Sequence, residues 1–228
     1  MMTLSPSGSL PLFLECPRCF WLEKIKKIKR PGGPFPSLPN GMDRVLKQHF
    51  DIHRSQRTLP ETLEGKFTGA LYPDLQKLNV WRDNFKGLQY KVEEGTILKG
   101  AVDDLFVTSD GKYAPLDFKT RGYPRKEDTH EYYQLQMDCY ALLLDKNGLP
   151  SAGFAIILFY YPLSVNREHH VEFKVEPVKV PTHTKNAETV IRKAISCLRG
   201  EEPRASDECE LCHWKGANNI LISERYLR

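Results

Sequence analysis

Apolar residues recur along this chain with two different periods, and each predicts a different element. "LFLECPRCFWLEKIKKI" reads as a helix or helical turn, and Met42, Val45, Leu46 and Phe50 fall at helical spacing. "KEDTHEYYQLQMDCYALLLDKNG" has acidic residues at its start, an apolar face and an Asn147-Gly148 stop, which together predict a third helix. "KNAETVIRKAISCLRG" predicts a fourth, ending at Gly200. From about Gly87 the period changes to alternation. "LQYKVEEGTILKGAVDDLFVTSDGKYAPLDFKT" predicts three or four strands with a turn at Asp110-Gly111. "AGFAIILFYYPL" reads as a buried strand and "HVEFKVEPVKV" as an alternating one. "RPGGPFPSLPNG", Arg30 to Gly41, holds too much Pro and Gly for anything but a loop. Leu59 to Arg82 shows no clear period. The resulting order predicts an α/β chain with one mixed sheet flanked by helices.

Two fifths of the 228 residues are hydrophobic, enough for a core, and residues 1–228 read as a single domain. No apolar run approaches the ~20 residues of a membrane helix. "LPLFLECPRCFWL" has no basic stretch before it and reads poorly as an export signal, so a cytoplasmic location is expected. The net charge of +4 is too small to imply a nucleic-acid partner by itself. Its distribution is more suggestive, because "KIKKIKR", Lys24 to Arg30, carries five positive charges in seven residues. That run suits a phosphate-contacting patch or a solvated helix end. No G-x-x-x-x-G-K-[ST] loop is present, so any motor activity would belong to a separate chain.

Of six cysteines, four form two C-x-x-C pairs, Cys16 with Cys19 and Cys209 with Cys212. Without an export signal, paired C-x-x-C reads as a metal site rather than as disulfides. Such a site would join residues 1–30 to residues 200–228 in one cysteine-cluster region. Cys139 and Cys197 lie within apolar helices and read as ordinary buried thiols.

The acidic stretch "GAVDDLFVTSDGKYAPLDFKT" carries the chemistry. Folded through its turn, it can set Asp103 beside Asp117 on adjacent strands, with Lys119 on the same face two residues later. Two close carboxylates repel unless a cation lies between them or one binds a proton. Mg²⁺ takes one or two such ligands, and a neighbouring lysine can orient water or stabilise negative charge. The plainer alternative makes Asp104 and Asp117 strand-end charges and Lys119 an exposed cation.

"GAVDDL" followed by "LDFKT" resembles the core of the PD-(D/E)XK nucleases, in particular the RecB-like branch with its G-x-x-D and D-x-K-T strands. That branch carries Q-x-x-x-Y on the next helix, matched here by Gln136 and Tyr140. The resemblance implies a restriction-endonuclease-like mixed sheet and a metal-dependent DNA nuclease, an exonuclease or end-processing enzyme of repair, recombination or CRISPR adaptation. It makes Asp103, Asp117 and the Phe118 carbonyl ligands of Mg²⁺ or Mn²⁺, and Lys119 the catalytic lysine. Gln136 and Tyr140 would position the lysine or the DNA backbone. Where the branch has a histidine on its first helix, this chain offers Asp43, with His49 farther along. Asp43 also suits a helix N-terminal acid favoured by the dipole.

The four cysteines are similar to those of AddB and CRISPR-adaptation nucleases, which implies a [4Fe–4S] cluster. Zn²⁺ fits four thiolates equally well. The expected substrate is DNA, single-stranded or with free ends, with no membrane partner and a helicase or CRISPR-adaptation protein as a possible companion. Tyr132, Tyr133, Tyr160, Tyr161 and Trp214 suit base stacking or core packing. His169 and His170 read as turn residues. The alternative function is a non-catalytic nucleic-acid-binding or complex-forming module that keeps the fold and the cysteine site.

Overall fold

A computed structural model describes residues 1–33 and 36–217, with side chains as far as His213. Strand β1 (Met2–Leu4) leads into α1 (Ser9–Glu15). Cys16 is extended and interrupts the helix, and Pro17 opens α2 (Pro17–Trp21) at a position where no backbone donor is needed. A wide π turn over Leu22–Lys26 follows and ends at Lys27 in the left-handed region. Helix α3 (Ser37–Gln56) begins inside the stretch expected to be loop. Pro39 sits in its first turn, where backbone N–H groups have no helical partner, so proline does not break it. Leu46 and Phe50 are buried as their spacing predicts, whereas Val45 is 51% exposed.

The aperiodic region supplies β2 (Gly69–Leu71) and α4 (Leu75–Arg82). Asp74 caps α4 by accepting the Lys77 N–H at 3.0 Å. Four strands then follow: β3 (Leu88–Glu93), β4 (Thr96–Gly100), β5 (Asp104–Thr108) and β6 (Tyr113–Thr120). A 3₁₀ turn (Glu127–Tyr133) precedes α5 (Gln134–Lys146), so the first part of the third expected helix is wound more tightly than the rest. Strands β7 (Phe154–Val165) and β8 (Val171–Pro181), then α6 (Thr184–Arg199) and α7 (Glu210–Ala217), complete the described chain.

The strands form two mixed sheets flanked by helices rather than the single sheet expected. One has the order β1-β4-β3, the other β2-β5-β6-β7-β8. The division falls between Gly100 and Asp104, inside the acidic motif. Gly100 lies against α5, and a Cβ there would come within 2.9 Å of side-chain atoms of Tyr140 and Leu143. The chain therefore packs its bare backbone on the helix and turns away. Beyond the turn, the Val102 N–H donates to the Trp81 carbonyl at 3.1 Å, which pins the linker to α4.

Strand β7 explains its own unbroken apolar run. Ala155, Ile157 and Phe159 face one core with α5 and α6, while Ile156, Leu158 and Tyr160 face a second core under α3. A strand covered on both faces has no polar side to alternate. Cys139 is buried and Cys197 half-buried against that first core.

Replacing Gly100 with Ala is expected to overpack the contact with Tyr140 and Leu143. The loss should be about 1–3 kcal/mol of unfolding free energy, read from urea denaturation. An unchanged midpoint would show that α5 does not need the missing Cβ.

Candidate active site

Antiparallel register sets the site. Asp104 pairs with Leu116, so Asp103, one step before the start of β5, lies across from Asp117. The Asp103 carboxylate Oδ2 accepts the backbone N–H of Phe118 at 3.0 Å, which brings the Phe118 main chain against the acidic pair. The Phe118 ring points the other way, edge-on to Phe50 with centroids 4.9 Å apart.

Alternation sends the adjacent aspartate inward. Asp104 is fully buried, and Arg54 Nη2 donates to both its oxygens at 2.7 and 2.6 Å. Arg82 Nη2 adds a third contact at 3.0 Å. Arg54 also donates to the Tyr72 carbonyl, and Arg82 Nε to the Asp103 carbonyl at 2.8 Å. Burial pushes the Asp104 carboxyl up, and the two guanidinium groups offset only part of that rise. Asp104 is thus an internal anchor and not a strand-end charge, while Asp103 is left to face the site.

Asp117 is 2% exposed. Lys119 Nζ lies 2.6 Å from its Oδ2, a close ion pair. Gln136 Nε2 approaches Oδ1 at 3.4 Å. Lys119 Nζ also donates to Gln136 Oε1 at 3.1 Å and sits over the Tyr133 ring. Gln136 Nε2 donates to Tyr140 Oη at 2.9 Å, and Tyr140 Oη to the Ala101 carbonyl at 2.7 Å. Spaced one helical turn apart, Gln136 and Tyr140 form a chain from the lysine to the linker that carries Asp103.

Asp43 reaches the same place from α3. Its carboxylate accepts Lys47 Nζ at 2.8 Å, and that ammonium lies 3.1 Å from Asp103 Oδ1. Asp43 stands in the second turn of α3, too far along for a dipole-favoured terminal acid. His49 is exposed, and its ring lies against those of Phe50 and His53, away from the aspartates. Tyr160 and Tyr161 are buried, and Tyr132 is 84% exposed. The Trp214 side chain lies outside the described residues. His169 and His170 are exposed at the β7–β8 turn.

Burial and then the neighbouring Asp103 raise the Asp117 carboxyl, against the pull of Lys119, to about 7. Burial alone would lower the Lys119 and Lys47 ammonium groups. Asp117 outweighs it at the first and Asp103 with Asp43 at the second, so both lysines are held above their ordinary value. The donors suit a hard divalent ion: two carboxylates side by side and a main chain alongside. A cavity of about 460 Å³, lined by Pro11, Leu14, Tyr132, Tyr133, Lys119 and Gln136, opens beside the lysine.

At the far end of α1 a different donor set gathers. The sulfurs of Cys16, Cys19, Cys209 and Cys212 all lie within 4.8 Å of one another, across up to 196 residues of chain. Individual separations are 3.5 Å for Cys19–Cys212, 3.7 Å for Cys19–Cys209 and 3.9 Å for Cys16–Cys212, far beyond a disulfide bond. Burial raises the Cys16 thiol, but backbone N–H groups of Cys19 and Ser206 overcome it and bring it to about 7. Arg30 donates to Cys209 Sγ at 3.4 Å and pairs with Glu15, which removes it from the exposed basic run. Four clustered thiols fit a thiophilic metal and tie the two ends of the described chain together.

The sequence matches the family model of the PD-(D/E)XK nuclease superfamily over residues 3–217. The chain belongs to that superfamily. No curated protein matches it. Among solved structures, that of SSO0001 is similar at 16% identity and a TM-score of 0.44, covering 94% of this chain and 84% of that one. Most superfamily members cleave phosphodiesters, so nucleic acid is the implied substrate class and divalent metal the implied requirement. Among the described residues no helix is long and apolar enough to cross a membrane.

The sequence reading passed over Lys47, Arg54 and Arg82. A helical i, i+4 match of Lys47 to Asp43 was available as a signal, whereas nothing local marks the two arginines as partners of Asp104.

A raised Asp117 predicts a specific pH dependence. The folded chain keeps its proton to about pH 7, and the unfolded chain releases it near 3.8. Its contribution to stability is therefore fully present below about pH 3.8 and is lost as pH rises to about 7. In buffer without added Mg²⁺ or Mn²⁺, stability of the natural chain should fall relative to Asp117→Asn across that window, by up to about 1.4 kcal/mol per pH unit. Chemical denaturation at stepped pH measures the difference. A gap that stays constant from pH 4 to 7 would exclude the shift.

Proposed function

We propose that the chain is a metal-dependent DNA nuclease whose active site is Asp103, Asp117, Lys119, Gln136 and Tyr140. The observation that carries this reading is the register that sets Asp103 across from Asp117 with the Lys119 ammonium against the pair. Asp103 and Asp117, with the Phe118 carbonyl, would hold Mg²⁺ or Mn²⁺, which supplies polarisation of a phosphoryl oxygen and a more acidic bound water. Lys119 is a cation fixed on three sides, by Asp117, Gln136 and the Tyr133 face, and it stabilises negative charge that develops on the phosphate. Gln136 keeps that ammonium from swinging toward solvent, and Tyr140 keeps Gln136 in place through the Ala101 carbonyl. Their role is positioning.

The open cavity beside Lys119, with exposed Tyr132 at its edge, suits an unpaired strand or a free end, because an aromatic face accepts any base. That supports an exonuclease or end-processing action in repair, recombination or CRISPR adaptation. Lys26, Lys27 and Lys29 are exposed after α2 and supply further positive charge for a phosphate backbone.

For the cysteines we favour one tetrahedral ion such as Zn²⁺. Zinc–sulfur bonds of about 2.3 Å set sulfur–sulfur edges of about 3.8 Å, close to the Cys16–Cys212, Cys19–Cys209 and Cys19–Cys212 separations. A cubane cluster places an iron beneath every thiolate and needs the sulfurs spread more widely.

With Mg²⁺ or Mn²⁺, the purified chain should cleave labelled DNA, and Lys119→Ala and Asp117→Ala should each lose at least about 100-fold of the rate. Cleavage that survives both substitutions would remove the assignment. Inactivity of a folded, metal-loaded chain would instead favour the binding-module alternative. Elemental analysis should find about one zinc and little iron per chain, with the zinc lost in Cys19→Ser. A stoichiometric iron content with absorbance near 400 nm would reverse the choice (approximate, from thiolate-to-iron charge transfer).

A further inference from the structure

Lys47 stands where the acidic site is most crowded. Its ammonium lies 2.8 Å from Asp43 Oδ2 and 3.1 Å from Asp103 Oδ1, so a single positive charge bridges two carboxylates from different elements. The placement is fixed by two anchors farther along α3. Phe50 is buried against the Phe118 ring, and Arg54 is locked onto Asp104. Between the active site and those two anchors, the helix has no freedom to rotate Asp43 and Lys47 away together. The ammonium side chain is only 20% exposed, which distinguishes it from a surface lysine paired in passing.

We propose that Lys47 is a built-in cation of the active site that limits it to one divalent ion. The inference rests on the reading that Asp103 and Asp117 hold such an ion. A pair of metals would need Asp43 and Asp103 as the second carboxylate set, and those are the groups Lys47 bridges. Charge arithmetic points the same way. Once a bound ion has displaced the Asp117 proton, the three carboxylates are ionised and, with Lys47 and Lys119 charged, these side chains sum to one net negative charge. One divalent ion turns this to one positive charge, which a phosphodiester neutralises. A second ion would raise it to three positive charges before substrate arrives, at separations where like charges repel strongly. Removing Lys47 leaves room, free ligand oxygens and a net charge of minus two. Two-metal centres with ions about 4 Å apart are built from such shared carboxylates.

The test is equilibrium Mn²⁺ binding to the full chain with its cysteine site loaded, followed by calorimetry and electron paramagnetic resonance. The natural chain is expected to bind one Mn²⁺ with an uncoupled signal. Lys47→Met should bind two, with the broadened spin-coupled signal of ions sharing a carboxylate. Lys47→Arg, which keeps the charge, should stay at one, and Lys47→Met combined with Asp43→Asn should return to one. Circular dichroism guards against misfolding, and should Lys47→Met fail to fold, Lys47→Gln takes its place. Two ions on the natural chain, or one ion on folded Lys47→Met or Lys47→Gln, overturns the inference and leaves the Asp103–Asp117 metal site standing. No Mn²⁺ on any variant overturns the metal site itself, and the inference with it.

Discussion

A single buried carboxylate organises the active end of this protein. Asp104 carries its charge where no water reaches, and only the guanidinium groups of Arg54 and Arg82 make that tenable. Each arginine comes from a different helix. The pairing therefore fastens α3 and α4 to the end of β5 at one point, and it does so with donors whose planar geometry tolerates little sliding. Arg82 extends the clamp to the Asp103 carbonyl, and Arg54 to the Tyr72 carbonyl. Asp103 follows from this arrangement. Its neighbour is held inward, its own carbonyl is tied back, and its carboxylate has one direction left, toward Asp117.

The rest of the site grows outward from that constraint. Gly100 lets α5 approach the linker closely enough for Tyr140 to reach the Ala101 carbonyl, and Tyr140 sets Gln136, which sets Lys119. The cysteine cluster, just past the end of α1, acts by a different means. It closes a loop of nearly the whole chain, so its effect falls largely on the freedom of the unfolded state. Trp21 adds a smaller link there, donating to the Gly200 carbonyl at 3.2 Å.

Much of the secondary structure was visible in local pattern. Phe50 and Leu46 lie on the buried face that their spacing predicts, β7 is the buried strand, and α6 ends at Gly200 as expected. Where the pattern misled, the reasons are physical. Pro39 looks like a breaker but occupies a helix position that needs no donor. Val45 shares the helical period yet faces away, because the covered stripe on α3 is narrow and runs through Asp43, Lys47, Phe50 and Arg54, with Val45 on the far side. Leu59 to Arg82 shows no period because its elements are too short to display one.

Asp103, Asp117 and Lys119 could be placed side by side from sequence because strand register depends on turn position and residue parity, which are local quantities. The joining of the two cysteine pairs was likewise legible, since four thiols in two short pairs have few stable uses outside a metal site. Tertiary structure alone decided that Asp104 turns inward onto two arginines and Asp103 faces Asp117, since both sit in the same dipeptide. It alone split the expected sheet at Gly100 and brought Arg54, Arg82 and Lys47 to their carboxylates. Those pairings span many residues, and their strength comes from exclusion of water, a property that belongs to the packed chain and leaves no trace in the order of its residues.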